Sequence, residues 1–151
     1  MKNFSALFIC LLCVTTALIA CGEVEDTRPG QPVKTRQVAF KEIIKAFEPM
    51  GVMLRENRYD AEEFESLADK LASKKDGPWT YFGADTHYPP TRATPEVWAQ
   101  TEKFEQERQR FIRATQALQI AAKSKDINKI SAAYKTLHET CQSCHKIFKL
   151  R

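Results

Sequence analysis

The sequence predicts an all-α protein, an antiparallel four-helix bundle with a longer crossover between its second and third helices. Three observations predict it. Apolar residues recur at helical spacing from Val33 to the C-terminus, no stretch alternates with the period of two that a half-buried strand requires, and only one link between the periodic segments is long. The chain has 151 residues, enough for one domain with one core, and carries no internal repeat.

Taken in order, the first element to expect is an export signal over residues 1–20. Met1, Lys2 and Asn3 lead into an apolar run from Phe4 to Ala20, with the n-region and h-region order of a cleaved leader. Leu18-Ile19-Ala20-Cys21 resembles the lipobox of bacterial lipoproteins. The resemblance implies that Cys21 is lipidated, becomes the first mature residue and ties the protein to a bacterial membrane. Several acyl chains on one cysteine hold far more firmly than one. The ordinary alternative is simple cleavage near Ala20. Either way Cys10 and Cys13 leave with the leader, so their spacing carries no chemistry. Residues 21–33, with Pro29, Gly30 and Pro32 among polar neighbours, read as a tether.

The bundle is expected over residues 34–151. Its first helix, roughly 34–57, carries Val33, Arg36, Phe40, Ile43, Ile44, Phe47, Gly51 and Leu54 within about 60° of one line. Pro49 falls on the opposite side, where it bends a helix rather than ending it. A second helix, roughly 61–75, follows an Asp60 N-cap and turns Phe64, Leu67, Ala68 and Leu71 inward. Asp76-Gly77-Pro78 stops it. Residues 76–94 cannot form a regular helix, yet Trp79, Tyr81 and Phe82 are too apolar to leave in water, so this crossover should pack on the bundle. The third helix is expected from a Thr94 N-cap and Pro95 to about Lys123, with Trp98, Phe104, Phe111, Thr115, Leu118 and Ala122 inward. The fourth runs from about Asp126 to Leu150.

Charge excludes little by itself. The 23 Lys and Arg against 19 Asp and Glu give +4, and they are scattered along the chain, so no nucleic-acid footprint is present.

The chemistry lies on the fourth helix. Ile127, Ile130, Tyr134, Leu137, Cys144, His145 and Phe148 all fall within about 60° of Cys141, so two thiols and an imidazole face the bundle core. Cysteines at i and i+3 stand one turn apart on one face, where their sulfurs can form thioethers with the two vinyl groups along one porphyrin edge. Cys-x-x-Cys-His is the known signature of c-type haem attachment. The context agrees, since export supplies the compartment and a bundle core is where such cofactors are held. A disulfide between Cys141 and Cys144 fits poorly within a continuous helix. A thioredoxin-like pair would need a preceding strand. The best rival is a zinc site of His138, Cys141, Cys144 and His145, although adjacent Cys144 and His145 suit one tetrahedron badly.

With these residues the chain resembles the cytochrome c′ family, the class II c-type cytochromes that include cytochrome c-556. The likeness is carried by Arg36-Gln37-Val38-Ala39-Phe40, Tyr59-Asp60-Ala61, Pro78-Trp79, Phe82-Gly83, Pro95-Glu96-Val97-Trp98 and Cys141-Gln142-Ser143-Cys144-His145, in that order. It implies one covalent haem c on Cys141 and Cys144, with His145 as the axial iron ligand. In the six-coordinate type a methionine stands four residues after the first-helix arginine; here that residue is Phe40, which has no donor atom. Met50 and Met53 lie about 15 to 20 Å further along the helix. The expectation is five-coordinate iron covered by Phe40. Arg36 is a charge on an apolar stripe, costly unless paired, and the resemblance points to a haem propionate. Lys149 departs from the pattern, in which arginine stands four residues after the haem histidine; lysine keeps the charge and loses the planar fork. His138 and His87 read as exposed and surface residues.

Two functions follow from the resemblance. The first is one-electron transfer in the periplasm with redox partner proteins of the envelope; the alternative is binding of a small diatomic gas, NO or CO, behind Phe40. Enzyme chemistry is not expected, because no titratable side chain is evident on the distal stripe to move protons. Relatives are often dimers through the first two helices, so a homodimer is an expectation. Membrane contact is expected only through Cys21.

Overall fold

The structure is a computed structural model, and it describes residues 24–151. The expected leader and Cys21 therefore lie outside the described residues. The first helix, α1 (Pro32–Arg55), runs unbroken through Pro49, and α2 (Ala61–Lys74) follows. Asp60 caps α2 as expected, its carboxylate accepting the Glu63 N–H at 2.8 Å. After a single 3₁₀ turn (Trp79–Tyr81) and an irregular crossover come a one-turn helix, α3 (Glu96–Ala99), then α4 (Thr101–Ser124) and α5 (Ile127–Phe148). The N-cap of α5 is Asp126, which accepts the N–H groups of Asn128 and Lys129.

The long helices form the expected four-helix bundle. α1 lies against α2, α2 against α4 and α4 against α5, while α1 and α5 stand further apart and are bridged by side chains. The bridge is a stack of Phe47 on Tyr134, with centroids 4.4 Å apart and planes 6° from parallel. Gly51 lets that stack close, because a Cβ there would stand 2.2 Å from the Tyr134 hydroxyl. Phe64, Met50, Leu71, Leu118, Ile130 and Leu137 are fully buried and form the centre of the core. Among the described residues no helix is long and apolar enough to cross a membrane.

Three differences from the sequence reading have physical causes. The expected third helix breaks at Gln100 (φ −123°, ψ 54°), because α3 is tied elsewhere. The Trp98 Nε1–H donates to the Gly83 carbonyl at 2.9 Å, and Thr94 does not cap: its hydroxyl donates to the Ile147 carbonyl at 2.9 Å, and its N–H to that of Phe148. Secondly, Ile44, Ile127 and His145, placed on inward stripes, are exposed. They sit at the edges of their stripes, where the helix surface turns to water.

Thirdly, the stretch read as a tether is fastened from Asp26 onward. Asp26 is buried and accepts the N–H groups of Val33 (2.9 Å) and Lys34 (3.1 Å), two donors that the start of α1 leaves without partners. It also accepts the Tyr88 hydroxyl at 2.9 Å. Gln31, at the cap position, makes no side-chain bond to the helix, so Asp26 caps α1 from six residues before it and ties it to the crossover.

Candidate functional site

Cys141, Cys144 and His145 sit on the last two turns of α5. Both thiols are free and half-buried. They pack against different groups of side chains: Cys141 joins the main core, whereas Cys144 joins a smaller cluster built on Ala93, Val97 and Phe148. The two sulfurs thus stand on the seam between two apolar clusters.

Aromatic rings run along that seam. Phe40, half-buried on α1, meets Trp79 edge-on with centroids 5.4 Å apart, and Phe82 at 6.3 Å. Trp79 contacts Phe104 and Phe111, Phe82 contacts Phe104 at 5.0 Å, and Phe104 meets Phe148 at 5.3 Å. The rings come from α1, the crossover, α4 and α5, so the crossover does pack on the bundle, adding Trp79 to the cluster that Cys141 joins and Phe82 to the one that Cys144 joins.

Burial sets the titration of the motif. The Cys141 thiol is pushed up by desolvation, and Cys144 up to about 12, first by burial and then by the negative charge of Glu107 and by Cys141. Neither thiol is a ready thiolate, which disfavours a redox-exchange site. His145 is exposed as a residue, yet partial desolvation of its ring, helped by the Lys149 charge, lowers its pKa. The neutral ring is the form that offers a lone pair to a metal. Among the described residues no group of three or more His, Cys, Asp or Glu side chains converges as a metal ion requires, so the zinc set of His138, Cys141, Cys144 and His145 does not assemble. His138 is exposed and leans on Phe47. His87 is exposed and leans on Trp98.

These residues fit a haem fastened by two sulfurs. Two neutral thiols one turn apart, a neutral imidazole beside them and a ring-lined apolar seam are what such a group needs.

Arg36 is buried, at 3% exposure, but its partners are not carboxylates. One terminal nitrogen donates to the Tyr81 carbonyl and the Thr86 hydroxyl, both at 2.8 Å. The other donates to the Thr86 carbonyl at 3.1 Å and the Thr91 hydroxyl at 2.5 Å. The guanidinium also lies over the Phe82 ring at 4.5 Å. Burial lowers its pKa, offset by the charges of Tyr88 and Asp26. Arg36 is thus a clamp on the crossover.

Sequence reading missed Glu107. It is buried on α4, where one carboxylate oxygen accepts the Ser143 hydroxyl at 2.7 Å and the other the Arg110 guanidinium at 2.9 Å. The signal was available, since Glu107 stands three residues after Phe104 and four before Phe111, on the inward face of its helix. Asp26 was missed for a different reason: nothing local marks a carboxylate that caps from so far upstream.

Comparison with known proteins gives a consistent result. Residues 31–149 match the family described as Cytochrome C′. A cytochrome c′ from Alcaligenes xylosoxydans xylosoxydans is 28% identical over 123 residues, covering 81% of this chain and 95% of that protein. One from Rubrivivax gelatinosus is 29% identical over 124 residues, covering 81% and 96%. Among solved structures, cytochrome c prime from Shewanella frigidimarina superposes with a TM-score of 0.79 at 31% identity, covering 83% of this chain and 98% of that one. A nitric oxide complex of a cytochrome c prime variant from Alcaligenes xylosoxidans superposes with a TM-score of 0.77 at 28% identity, covering 84% and 100%.

Proposed function

The chain belongs to the cytochrome c′ family of haem c proteins, and on that premise we propose that it carries one haem, bound by thioethers at Cys141 and Cys144 and ligated by His145, and passes single electrons in the periplasm. The observation that carries this reading is the placement of both thiols on one seam of apolar side chains, with a neutral imidazole on the same turn of α5. Haem c supplies a one-electron ferric/ferrous couple. The chain's own residues hold and shield it. Cys141 and Cys144 fix the macrocycle's edge, His145 offers its ring nitrogen, and the rings of Phe40, Trp79, Phe82 and Phe104 keep water away.

Phe40 has no donor atom, so it would offer no ligand to the iron of a bound haem, and five-coordinate iron is the state this residue would favour. Arg36 stabilises the crossover and is the residue that would meet a haem propionate. Cys21 is the proposed lipid attachment point, which would hold the protein at a bacterial membrane near envelope redox partners. Val38 and Ile44 leave α1 with apolar side chains about half exposed, which favours a homodimer through that helix.

A second reading is gas binding at the open position. It is favoured by solved relatives described as nitric oxide and carbon monoxide complexes of cytochrome c prime from Alcaligenes xylosoxidans. A neutral diatomic is the ligand an apolar cover such as Phe40 admits by swinging aside.

Absorption spectra of the protein in its ferric, ferrous and NO-treated forms test both readings. High-spin five-coordinate spectra are expected in both oxidation states, with a new spectrum on NO addition. A low-spin six-coordinate spectrum without added ligand overturns the open position. A polypeptide with two free thiols, from cells equipped for haem attachment, overturns the whole reading.

A further inference from the structure

One buried charge reaches the attachment motif without touching either cysteine's role or the histidine's: it is bonded to Ser143. Glu107 is 8% exposed, on the apolar face of α4, between Phe104 and Phe111. Burying a carboxylate is costly, and replacing such a group by an apolar one is often neutral or stabilising, so its presence is not explained by stability. Its two bonds fix where the charge points. Ser143, between the two motif cysteines, donates its hydroxyl to one oxygen at 2.7 Å. Arg110 donates to the other at 2.9 Å. The bond to Ser143 is on the motif side and satisfies the carboxylate without neutralising it. Arg110 is exposed, so water screens the cation far more than the anion.

We infer that Glu107 tunes the reduction potential of the bound haem: held against the attachment turn by Ser143, its fixed negative charge favours the more positive ferric state and lowers the potential. This rests on the proposed thioether at Cys144. The reach of the charge is geometric: the Glu107 carboxylate is 2.7 Å from the hydroxyl of Ser143, the residue immediately before Cys144. The electron balance is simple. One electron passes between the iron and a redox partner protein, no covalent bond is made or broken, and Glu107 acts only on the difference between the two charge states.

The test uses the haem-loaded, full-length protein in a spectroelectrochemical titration of wild type, Glu107→Gln and Arg110→Gln. At the wild-type midpoint, Glu107→Gln is expected to shift the ferrous-to-ferric ratio roughly threefold or more toward ferrous. Arg110→Gln is expected to shift it the other way, by less. Opposite shifts are what a charge effect produces and a packing effect does not. Equal ratios in wild type and Glu107→Gln, with unchanged spectra, overturn the inference, as do shifts of the same sign in both variants. If Glu107→Gln does not fold, Arg110→Gln alone decides, and an unmoved or ferrous-shifted ratio overturns the inference. Intact mass of the wild type separates the two levels: haem present with an unmoved potential sinks only the tuning role, and haem absent sinks the attachment reading with it.

Discussion

Around Phe64 the helices meet over Met50, Leu118 and Ile130, all apolar and fully buried, whereas the end that carries Cys141 and Cys144 buries Asp26, Arg36, Thr86, Glu107 and Thr140. The first region is held by removal of apolar surface from water, which is non-directional and tolerant of detail. The second is held by hydrogen bonds of fixed geometry between segments distant in sequence: Arg36 to residues 81–91, Asp26 to Tyr88, Glu107 to Ser143. The contrast teaches that the bundle's fold and its site are stabilised separately. An irregular crossover cannot satisfy its own carbonyls, so buried side chains must do it.

That separation can be broken most severely at Phe64. Phe64→Ala should lower the unfolding free energy by about 3–5 kcal/mol, measured by urea denaturation, because the surrounding helices cannot collapse fully into the cavity. The absorption spectrum of the haem-loaded variant should be unchanged under native conditions. A spectrum altered at the haem would mean the two regions are coupled.

Arg36→Met sharpens the comparison from the other side. It removes four hydrogen bonds to crossover oxygens while keeping apolar bulk on the stripe. Amides between Tyr81 and Thr91 should lose about 2 kcal/mol of hydrogen-exchange protection, while those of α2 around Phe64 keep theirs. Uniform loss across the chain would show Arg36 to be a general core residue rather than a clamp.

The same division governs what the sequence discloses. The apolar half is written in periodicity, so Phe64, Ala68, Leu71, Phe111, Leu118 and Leu137 are buried where their spacing puts them. The attachment motif is legible because its residues are adjacent on one helix, and Glu107 was legible in principle as a charge on an apolar stripe. The fold and its likeness to cytochrome c′ hold over nearly the whole bundle. What sequence could not reveal is set by contacts between distant segments. Arg36 was visible as a buried charge, but its partners in the crossover were not. The break at Gln100 follows from Trp98 and Thr94 being tied to Gly83 and Ile147, and no local residue choice announces it. Asp26 lies in a Pro- and Gly-rich stretch whose composition describes a tether, and only its tertiary bonds make it part of the domain.

Asp26 gives the smallest and most condition-dependent effect. Burial alone would raise its pKa, but the Lys34 N–H, the Tyr88 hydroxyl and the N–H groups of Arg28 and Val33 together outweigh it and hold the carboxyl below its ordinary value of 3.8. A carboxylate with a depressed folded pKa contributes stability that is present above the unfolded value and is lost as pH falls through the folded one. Asp26→Asn removes the charge at every pH. Near about pH 7 the variant should therefore melt below wild type, and the gap should narrow once pH drops below about 4, as wild-type Asp26 becomes neutral too. Thermal melts followed by far-ultraviolet circular dichroism between these limits measure it. A gap that stays constant to about pH 3 would mean that the shape of the side chain, and not its charge, caps α1 and ties it to the crossover.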